Sequence, residues 1–227
     1  LISVLKEKKL DNGRGLARSL IFKHKHEKQS GRTSSITHHY MNENNTILSF
    51  IDLAGHEKYY KTTVFGVNCC SLDYIILVIG ANMGVSRMMI EHLTLILVLK
   101  LPFIIVLSKL DLCPENILKE TINEIKSLLK KYKVNKDCLF IDEKNYQSNT
   151  TFKENKIIPF FKVSNTQGTN IDILRHFILN LPLHKDWNKL KLEKQFAIIE
   201  DIFFVTGVGL VLSCTITSGI ILSLIHI

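Results

Sequence analysis

Four short runs of apolar residues, each followed by polar residues, constrain the fold of this chain most strongly. They are ILSFI at 47–51, YIILVI at 74–79, FIIVLS at 103–108 and IIPFFKV at 157–163. The runs are apolar nearly throughout instead of alternating with polar residues, which is typical of strands that are covered on both faces. We therefore expect a parallel sheet, and Pro159 indicates that the fourth strand lies at an edge.

Three stretches with helical spacing of large apolar side chains lie between and after these runs. Residues 86–99, 115–131 and 170–181 each present one apolar face at this spacing. Strands that alternate with helices favour an α/β domain with a mostly parallel sheet flanked by helices. Residues 142–156 are polar and are predicted to form a surface loop, and residues 182–195 are predicted to form a linker.

Charge and cysteine content limit the class of protein only loosely. The formal net charge is +8 and the sequence pI is near 9.2. This charge favours an acidic partner such as RNA, phosphate or an anionic membrane, although an ordinary basic soluble protein fits it equally well. The five cysteines form no C-x-x-C pair, and three lie in or beside apolar runs. Buried, reduced thiols of a cytoplasmic protein therefore fit best.

The tail at 202–227 carries no Asp, Glu, Lys or Arg and is long enough to span a bilayer. Against a membrane span, it contains glycines, hydroxyl residues and β-branched residues, with turn signals at 206–207 and 218–219. Two strands joined around residues 207–209 explain this pattern at least as well.

Polar residues follow three of the apolar runs where each run is expected to end as a strand. They lie at 52–56, 108–111 and 164–166. Because ligands of open α/β sheets bind beyond the carboxyl ends of the strands, we expect these residues to meet at one crevice.

The motif D-x-x-G-H at 52–56 combines groups that suit a phosphate and its metal ion. Asp52 at a strand terminus can hold Mg²⁺ through a water. Gly55 lets a backbone N–H approach a phosphate and can act as a hinge, and His56 can orient an attacking water. Taken alone, the motif is equally consistent with an aspartate-initiated turn beside a surface histidine.

The motif S-K-L-D at 108–111 suits guanine. The Asp111 carboxylate can accept two parallel hydrogen bonds from the edge of the guanine ring, and the Lys109 stem can lie over the ring face. Adenine lacks that pair of donors, so such a site would select GTP. A charge pair at a strand end is the alternative. Upstream, S-G-R-T at 30–33 offers the Thr33 hydroxyl to Mg²⁺, unless it is a plain polar loop.

The order and spacing of these motifs resemble the switch and base-recognition motifs of GTPases. Over residues 1–222 the chain resembles the GTP-binding protein 1/2-like branch of the translational GTPases. The resemblance rests on LDNGRGLAR, FKHKHEKQSGRTSS, FIDLAGHEKYYKTTVFG, EHLTL, SKLDLCPENIL, VSNTQGTNIDIL and FFVTGVGLVLS. It implies a P-loop-NTPase-like GTPase domain over 1–182, a linker over 183–196 and the start of a β-barrel domain over 197–227.

The resemblance also implies roles around the phosphates. Thr33 and Asp52 would hold Mg²⁺, and Gly55 would face the γ-phosphate. His56 would orient the attacking water once the ribosome pushes it inward.

Around the base, the resemblance implies that Lys109 and Asp111 recognise guanine. Ser108 precedes them in the same motif, at a position where many GTPases have asparagine. Ser164 and Asn165 would support the base.

The chain departs from the family pattern at three further points. It contains no G-x-x-x-x-G-K-[ST] loop, whose backbone N–H groups wrap the phosphates, and it lacks the strand that would lead into that loop. We therefore interpret the chain as a fragment and expect little or no nucleotide affinity from it alone. Cys214 stands where a hairpin glycine is expected, and LSLIHI after Ile221 does not continue the pattern.

The sequence thus predicts a translational-type GTPase that hydrolyses GTP to GDP and phosphate and uses Mg²⁺. The ribosome, transfer RNA or the RNA-decay machinery would be its partners, and we expect a cytoplasmic monomer that is not bound to a membrane. The alternatives are a GTPase-like module that binds partners without turnover, a membrane-associated protein that uses 202–227, and a partial transcript without independent function.

Overall fold

The structure of the chain is a computed structural model, and it describes residues 1–22, 27, 31, 33–43, 46–143, 156–183 and 185–222. The helices are α1 (Ile2–Glu7), α2 (Leu16–Ser19), α3 (Tyr60–Cys69), α4 (Arg87–Leu99), α5 (Glu115–Lys131), α6 (Ile171–Leu179) and α7 (Trp187–Leu190). The strands are β1 (Thr37–Glu43), β2 (Thr46–Asp52), β3 (Ile75–Gly80), β4 (Phe103–Ser108), β5 (Asp137–Phe140), β6 (Ile157–Lys162), β7 (Phe196–Val205) and β8 (Gly209–Ser218). Short 3₁₀ turns span Glu57–Tyr59 and Leu110–Leu112.

A four-stranded parallel sheet with the strand order β3-β4-β6-β5 forms the centre of the structure. Three of the four apolar runs form β3, β4 and β6, so the prediction of a parallel sheet flanked by helices is confirmed for them. Every residue of β4 is buried, which explains its unbroken apolar sequence. Because the strands are parallel, β3, β4 and β6 end at the same edge of the sheet, at Gly80, Ser108 and Lys162.

Side chains that alternate along the strands supply two apolar clusters, one on each face of the sheet. One cluster packs the sheet against α1 and α6 and includes Val4, Leu5, Ile104, Val106, Phe161, Leu174 and Phe177. The other packs the sheet against α4 and α5 and includes Leu93, Ile105, Leu107, Ile125 and Phe160. Helices on both faces therefore hold the strand ends in fixed positions.

The prediction that the strand carrying Pro159 lies at an edge is wrong. β6 lies between β4 and β5, and Pro159 pairs with Leu139 of β5. β6 joins β4 only from Phe160 onward, so the ladder between these two strands begins after the proline, whose missing N–H would otherwise interrupt it. The edge is formed instead by β5, a short strand that the sequence did not indicate.

The first apolar run lies outside the parallel sheet, contrary to our expectation. It forms β2, which pairs antiparallel with β1 in a separate two-stranded sheet, from Thr37 opposite Asp52 to Glu43 opposite Thr46. β1 alternates buried and exposed residues, and its polar composition concealed it in the sequence. β2 is only partly covered, since Ile47 is 71% exposed.

The three predicted helices are confirmed as α4, α5 and α6, whereas the sequence did not indicate α1, α2, α3 or α7. α7 lies inside the predicted linker. Asp186 caps α7, and its Oδ1 atom accepts hydrogen bonds from the backbone N–H groups of Asn188 at 3.1 Å and Lys189 at 3.2 Å. The Lys185 ammonium lies 5.6 Å from the centre of the Trp187 ring. The residues before the final hairpin are thus locally ordered.

The end of the described chain is the antiparallel hairpin of β7 and β8. Its turn uses Gly207 at φ +82° and Gly209 at φ +99°, a region that favours glycine. The predicted pair of strands around 207–209 is confirmed, although the first strand begins earlier than expected. No helix in the described ranges has both the length and the apolar character needed to cross a membrane.

Several expectations fall outside the described residues. They concern residues 144–155 of the predicted surface loop and 223–227 of the terminal LSLIHI stretch. The predicted domain boundaries at 182–183 and 196–197 stay predictions.

All five cysteines are free thiols. Four are half-buried, whereas Cys214 is exposed and does not fit the expectation of burial. Burial raises the pKa of the Cys70 thiol to about 11. This thiol therefore stays protonated at neutral pH.

Replacing Phe177 with alanine tests the packing of α6 on the sheet. Phe177 and Phe161 are fully buried, with ring centroids 5.0 Å apart in an edge-to-face arrangement. We expect Phe177→Ala to lower the free energy of unfolding in urea by about 3–5 kcal/mol. The control Val98→Ala removes a side chain that is 71% exposed and should change stability by less than about 0.5 kcal/mol. Equal effects of the two variants would contradict the described core.

Candidate functional site

The first group of candidate residues, the strand-end cluster, consists of Ser108, Lys109, Asp111, Ser164 and Asn165. These residues follow β4 and β6, whose ends lie together because the strands are paired in parallel. The pairing continues beyond the strands, since the Val163 N–H donates to the Leu107 carbonyl at 2.8 Å. The structure therefore brings these predicted site residues to one place.

A direct hydrogen bond joins the two halves of the strand-end cluster. The Ser164 hydroxyl donates to Asp111 Oδ1 at 2.6 Å. Ser164 is fully buried, and its Oγ atom also accepts from the Gln167 N–H at 3.2 Å and lies 3.0 Å from Thr166 Oγ1. Asp111 itself is exposed. A buried serine thus orients a carboxylate that remains open to a ligand.

The surroundings of Asp111 keep its carboxyl group ionised. The Ser164 hydrogen bond is the largest influence that holds its pKa below the usual value of 3.8. Burial opposes this effect, while a backbone hydrogen bond, the Thr166 hydroxyl and the Lys109 charge add to it. An ionised carboxylate only accepts hydrogen bonds, so Asp111 suits a ligand edge that presents two donors.

Lys109 and Ser108 shape the turn that carries Asp111. Lys109 is exposed and has φ +61°, and the 3₁₀ turn follows it directly. The Ser108 hydroxyl donates to the Ile79 carbonyl at 3.2 Å, so it links β3 to β4. The Leu110 N–H donates to the Val163 carbonyl at 3.4 Å and keeps the turn beside β6.

Asn165 brings a further loop to the strand-end cluster. Its carbonyl accepts from the Asp11 N–H at 2.9 Å, and Asp11 Oδ1 accepts from the Ala17 N–H at 3.0 Å. Within the described part of the chain, the buried Asn165 Oδ1 has no hydrogen-bond partner, which leaves an acceptor for a ligand donor. Our site prediction did not include Asp11 or Thr166, although the D-N-G turn at 11–13 is a signal for the former.

The second group, the hinge cluster, consists of Thr33, Asp52, Gly55 and His56. The Thr33 hydroxyl donates to Asp52 Oδ2 at 3.2 Å, so these two predicted metal ligands are neighbours. A hydroxyl and a carboxylate are oxygen donors of the kind that Mg²⁺ prefers. Among the described residues, no group of three or more His, Cys, Asp and Glu side chains could hold a metal ion. These donors therefore fit Mg²⁺ only if phosphate oxygens and water complete its shell.

Gly55 has no structural need to be glycine here. It is exposed, its φ is not positive, and a Cβ built on it would meet no atom within 4 Å. Its neighbour Ala54 is buried, and the Ala54 carbonyl accepts from the Thr63 hydroxyl of α3. Movement or close approach of a ligand is the remaining physical reason for a glycine beside this anchored residue.

His56 is half-buried and caps the 3₁₀ turn that follows it. Its Nδ1 atom accepts from the Lys58 N–H at 3.2 Å, so the neutral ring carries its proton on Nε2. The ring must release this cap before it can swing to a new position.

α4 holds the hinge cluster near the carboxyl edge of the sheet. His92 Nε2 lies 3.5 Å from the Gly55 carbonyl, and the Tyr60 hydroxyl donates to the Glu91 carbonyl at 3.4 Å. Both contacts involve the first half of α4, the helix that follows the end of β3. The hinge cluster and the strand-end cluster therefore lie towards the same end of the sheet. Our site prediction missed His92 and Thr63, although EHLTL and KTT were among the stretches that carried the resemblance.

Some predicted features are not placed. Ser30 and Arg32 of the S-G-R-T motif lie outside the described residues, as do His24 and His26. Two clefts are found away from both clusters. One of about 340 Å³ is lined by Leu183 and residues 185–188, and one of about 220 Å³ lies between α4, β4 and β5.

Comparison with known proteins identifies the class and then the family. The fold is that of the translational GTPases. Residues 2–184 match the model of the family described as elongation factor Tu GTP binding domain. The chain belongs to this family.

Two relatives confirm the predicted resemblance to the GTP-binding protein 1/2-like branch. The chain is 38% identical to GTP-binding protein 1 of Xenopus laevis and 34% identical to GTP-binding protein 2 of Homo sapiens. Each alignment covers 97% of this chain but only 38% and 41% of the relatives. The chain thus spans about two fifths of their length.

Solved structures agree on the fold. The crystal structure of bacterial selenocysteine-specific elongation factor EF-Sec matches with a TM-score of 0.66 and 25% identity, over 96% of this chain and 32% of that chain. Elongation factor SelB of Methanococcus maripaludis, in complex with the GTP analogue GPPNHP, matches with a TM-score of 0.59 and 20% identity, over 82% and 36%. At that identity, the likeness to SelB shows the fold alone.

Replacing Ser164 with alanine tests how the Asp111 carboxylate is held. A pKa that is lower in the folded chain than in the unfolded chain stabilises the fold above the unfolded value of 3.8. This contribution is lost as the pH falls through the folded value. We expect Ser164→Ala to raise the Asp111 pKa towards 3.8, as followed by carboxyl ¹³C chemical shifts against pH. Thr166→Ala should produce a smaller rise, and an unchanged pKa in Ser164→Ala would contradict the described contact.

Proposed function

We propose that the chain is the nucleotide-binding part of a translational-type GTPase that hydrolyses GTP to GDP and phosphate. The observation that carries this proposal is the exposed Asp111 carboxylate, oriented and kept ionised by the buried Ser164 hydroxyl. Membership in the elongation factor Tu GTP binding domain family supports turnover over a module that only binds partners.

Guanine would lie against the strand-end cluster. Its ring N–H and amino group would donate in parallel to Asp111, and the Lys109 stem would cover one ring face. Ser164 acts through Asp111 as a positioning residue, and Ser108 maintains the strand pairing beneath it. The unpartnered Asn165 Oδ1 would accept a further hydrogen bond near the base.

The phosphates would lie against the hinge cluster. Thr33 and Asp52 would hold Mg²⁺, which supplies charge neutralisation at the phosphates when bound. The Gly55 N–H would approach the γ-phosphate, because no side chain blocks the backbone there. His56 would orient the attacking water after release of its cap on Lys58.

The proposal extends to conformation and partners. Loss of the γ-phosphate would free the segment at Gly55 and alter the surface that partners contact. We infer a cytoplasmic protein that works with the ribosome, transfer RNA or the RNA-decay machinery. The relatives named as elongation factors support this inference. The described chain alone would bind GTP weakly, because losing several charged contacts of about 1.5–3 kcal/mol each removes a micromolar site.

Asp111→Asn in the full-length gene product tests the guanine site. The amide offers one acceptor and one donor group, so it should disfavour guanine and accept xanthine, which has a carbonyl in place of the amino group. We expect GTP to bind about 10- to 100-fold more weakly and XTP to bind more tightly than in the wild type, as measured by calorimetry. Asp137→Asn changes an exposed aspartate outside both clusters and should leave the preference intact. An unchanged GTP preference in Asp111→Asn would refute the assignment.

His56→Ala in the same protein tests the hydrolytic step. Loss of the group that orients the water should slow ribosome-stimulated GTP hydrolysis by about 10²-fold or more. The affinity for GTP should stay the same, because His56 contacts neither the base nor Mg²⁺ in the proposal. Single-turnover hydrolysis and equilibrium binding measure the two quantities separately. Wild-type turnover in this variant would end the proposed role of His56.

A further inference from the structure

Glu27 is a buried carboxylate to which the roles proposed above assign nothing. It is 1% exposed, although a buried charge is costly unless hydrogen bonds satisfy it. Its Oε1 atom accepts from the Ser34 N–H at 2.9 Å, from the Ser34 hydroxyl at 2.9 Å and from the Ser35 hydroxyl at 3.2 Å. Three donors from two adjacent residues therefore converge on one carboxylate oxygen.

These hydrogen bonds fold the chain back on itself just before the hinge cluster. The Gly31 N–H donates to the Glu27 carbonyl at 2.8 Å, and Gly31 has φ +65°, as a reversal of the chain direction requires. The chain then returns to the Glu27 side chain at Ser34. The backbone and the side chain of one residue thus define both ends of the reversal.

Thr33 lies inside this reversal, and its geometry depends on it. The Ser34 N–H belongs to the same peptide plane as the Thr33 carbonyl, so its bond to Glu27 fixes the backbone dihedral ψ of Thr33. On the side-chain side, the Thr33 hydroxyl donates to Asp52 Oδ2 at 3.2 Å. Glu27 therefore controls which way the Thr33 hydroxyl faces without contacting it.

We propose that Glu27 is a positioning residue that clamps the segment 33–35 and so holds the Thr33 hydroxyl against Asp52. The proposal rests on the proposed function, because its consequence is a preformed pair of oxygen donors for Mg²⁺. Ordering these donors before the ion binds removes part of the conformational entropy that binding would otherwise cost. Release of the clamp would weaken Mg²⁺ binding while leaving recognition of guanine unaffected, since the strand-end cluster is built from other elements.

Hydrogen exchange on the chain itself tests the clamp without any nucleotide. We expect Glu27→Ala to speed amide exchange at residues 34–36 at least about tenfold, because it removes hydrogen bonds to a charged acceptor. Glu27→Gln retains an uncharged acceptor and should fall between the wild type and Glu27→Ala. Peptides from β4 and β6 should exchange as in the wild type. Glu120→Ala removes an exposed glutamate of α5 and serves as the matched control.

A second variant covers the case in which Glu27→Ala does not fold. Replacing both Ser34 and Ser35 with alanine removes two donors while keeping the carboxylate, and should also speed exchange at residues 34–36. Unchanged exchange in all of these variants overturns the clamp. Faster exchange spread evenly over β4 and β6 also overturns it, because Glu27 would then contribute only to general stability.

The consequence for the metal is tested in the full-length gene product. We expect Glu27→Gln to raise the Mg²⁺ concentration needed for half-maximal GTPγS binding about tenfold, with an unchanged preference for GTP over XTP. Local loss of protection without this shift would overturn the link to Mg²⁺. If the full-length protein binds no guanine nucleotide, the proposed function fails, whereas the exchange experiment still decides whether Glu27 clamps residues 33–35.

Discussion

Parallel pairing of β4 with β6 is the constraint on which the rest of the site depends. The pairing places the residues after both strands at one edge, where the Ser164 hydroxyl reaches the Asp111 carboxylate over a separation of 53 residues in the chain. Burial of β4 and β6 between helices on both faces keeps this edge fixed. The rigid sheet therefore carries the part of the site that would select a base.

The hinge cluster is held differently, by side-chain contacts from neighbouring helices. α3 supplies two of these contacts, the Thr63 hydroxyl on the Ala54 carbonyl and a close approach at Gly66. A Cβ on Gly66 would lie 2.6 Å from Leu53 Cδ2 and 3.0 Å from Ile36 Cδ1, so α3 packs against the flanks of both Thr33 and Asp52. Contacts of this kind can break one at a time, which suits a segment that must respond to a phosphate.

The sequence carried much of the fold because a strand buried on both faces has an unmistakable composition. It missed β1 because a strand with one exposed face, THHYMNE, reads as polar, and it misplaced β2 for the same reason. Pro159 was misleading because the ladder to β4 begins only after it. Asp52, Asp111 and Ser164 could be proposed from motifs at strand ends and from family resemblance. Glu27 could not, because its burial arises from a chain reversal that no local pattern announces.

The most direct measurement is a crystal structure of the full-length gene product with Mg²⁺ and a non-hydrolysable GTP analogue. The account predicts guanine nitrogen donors about 2.7–3.2 Å from the Asp111 carboxylate. It also predicts the Thr33 hydroxyl about 2.0–2.1 Å from Mg²⁺, with Asp52 beside the ion. A nucleotide bound elsewhere, or a base that contacts Asp111 while its phosphates point away from Thr33 and Asp52, would contradict the claim that the two clusters form one site.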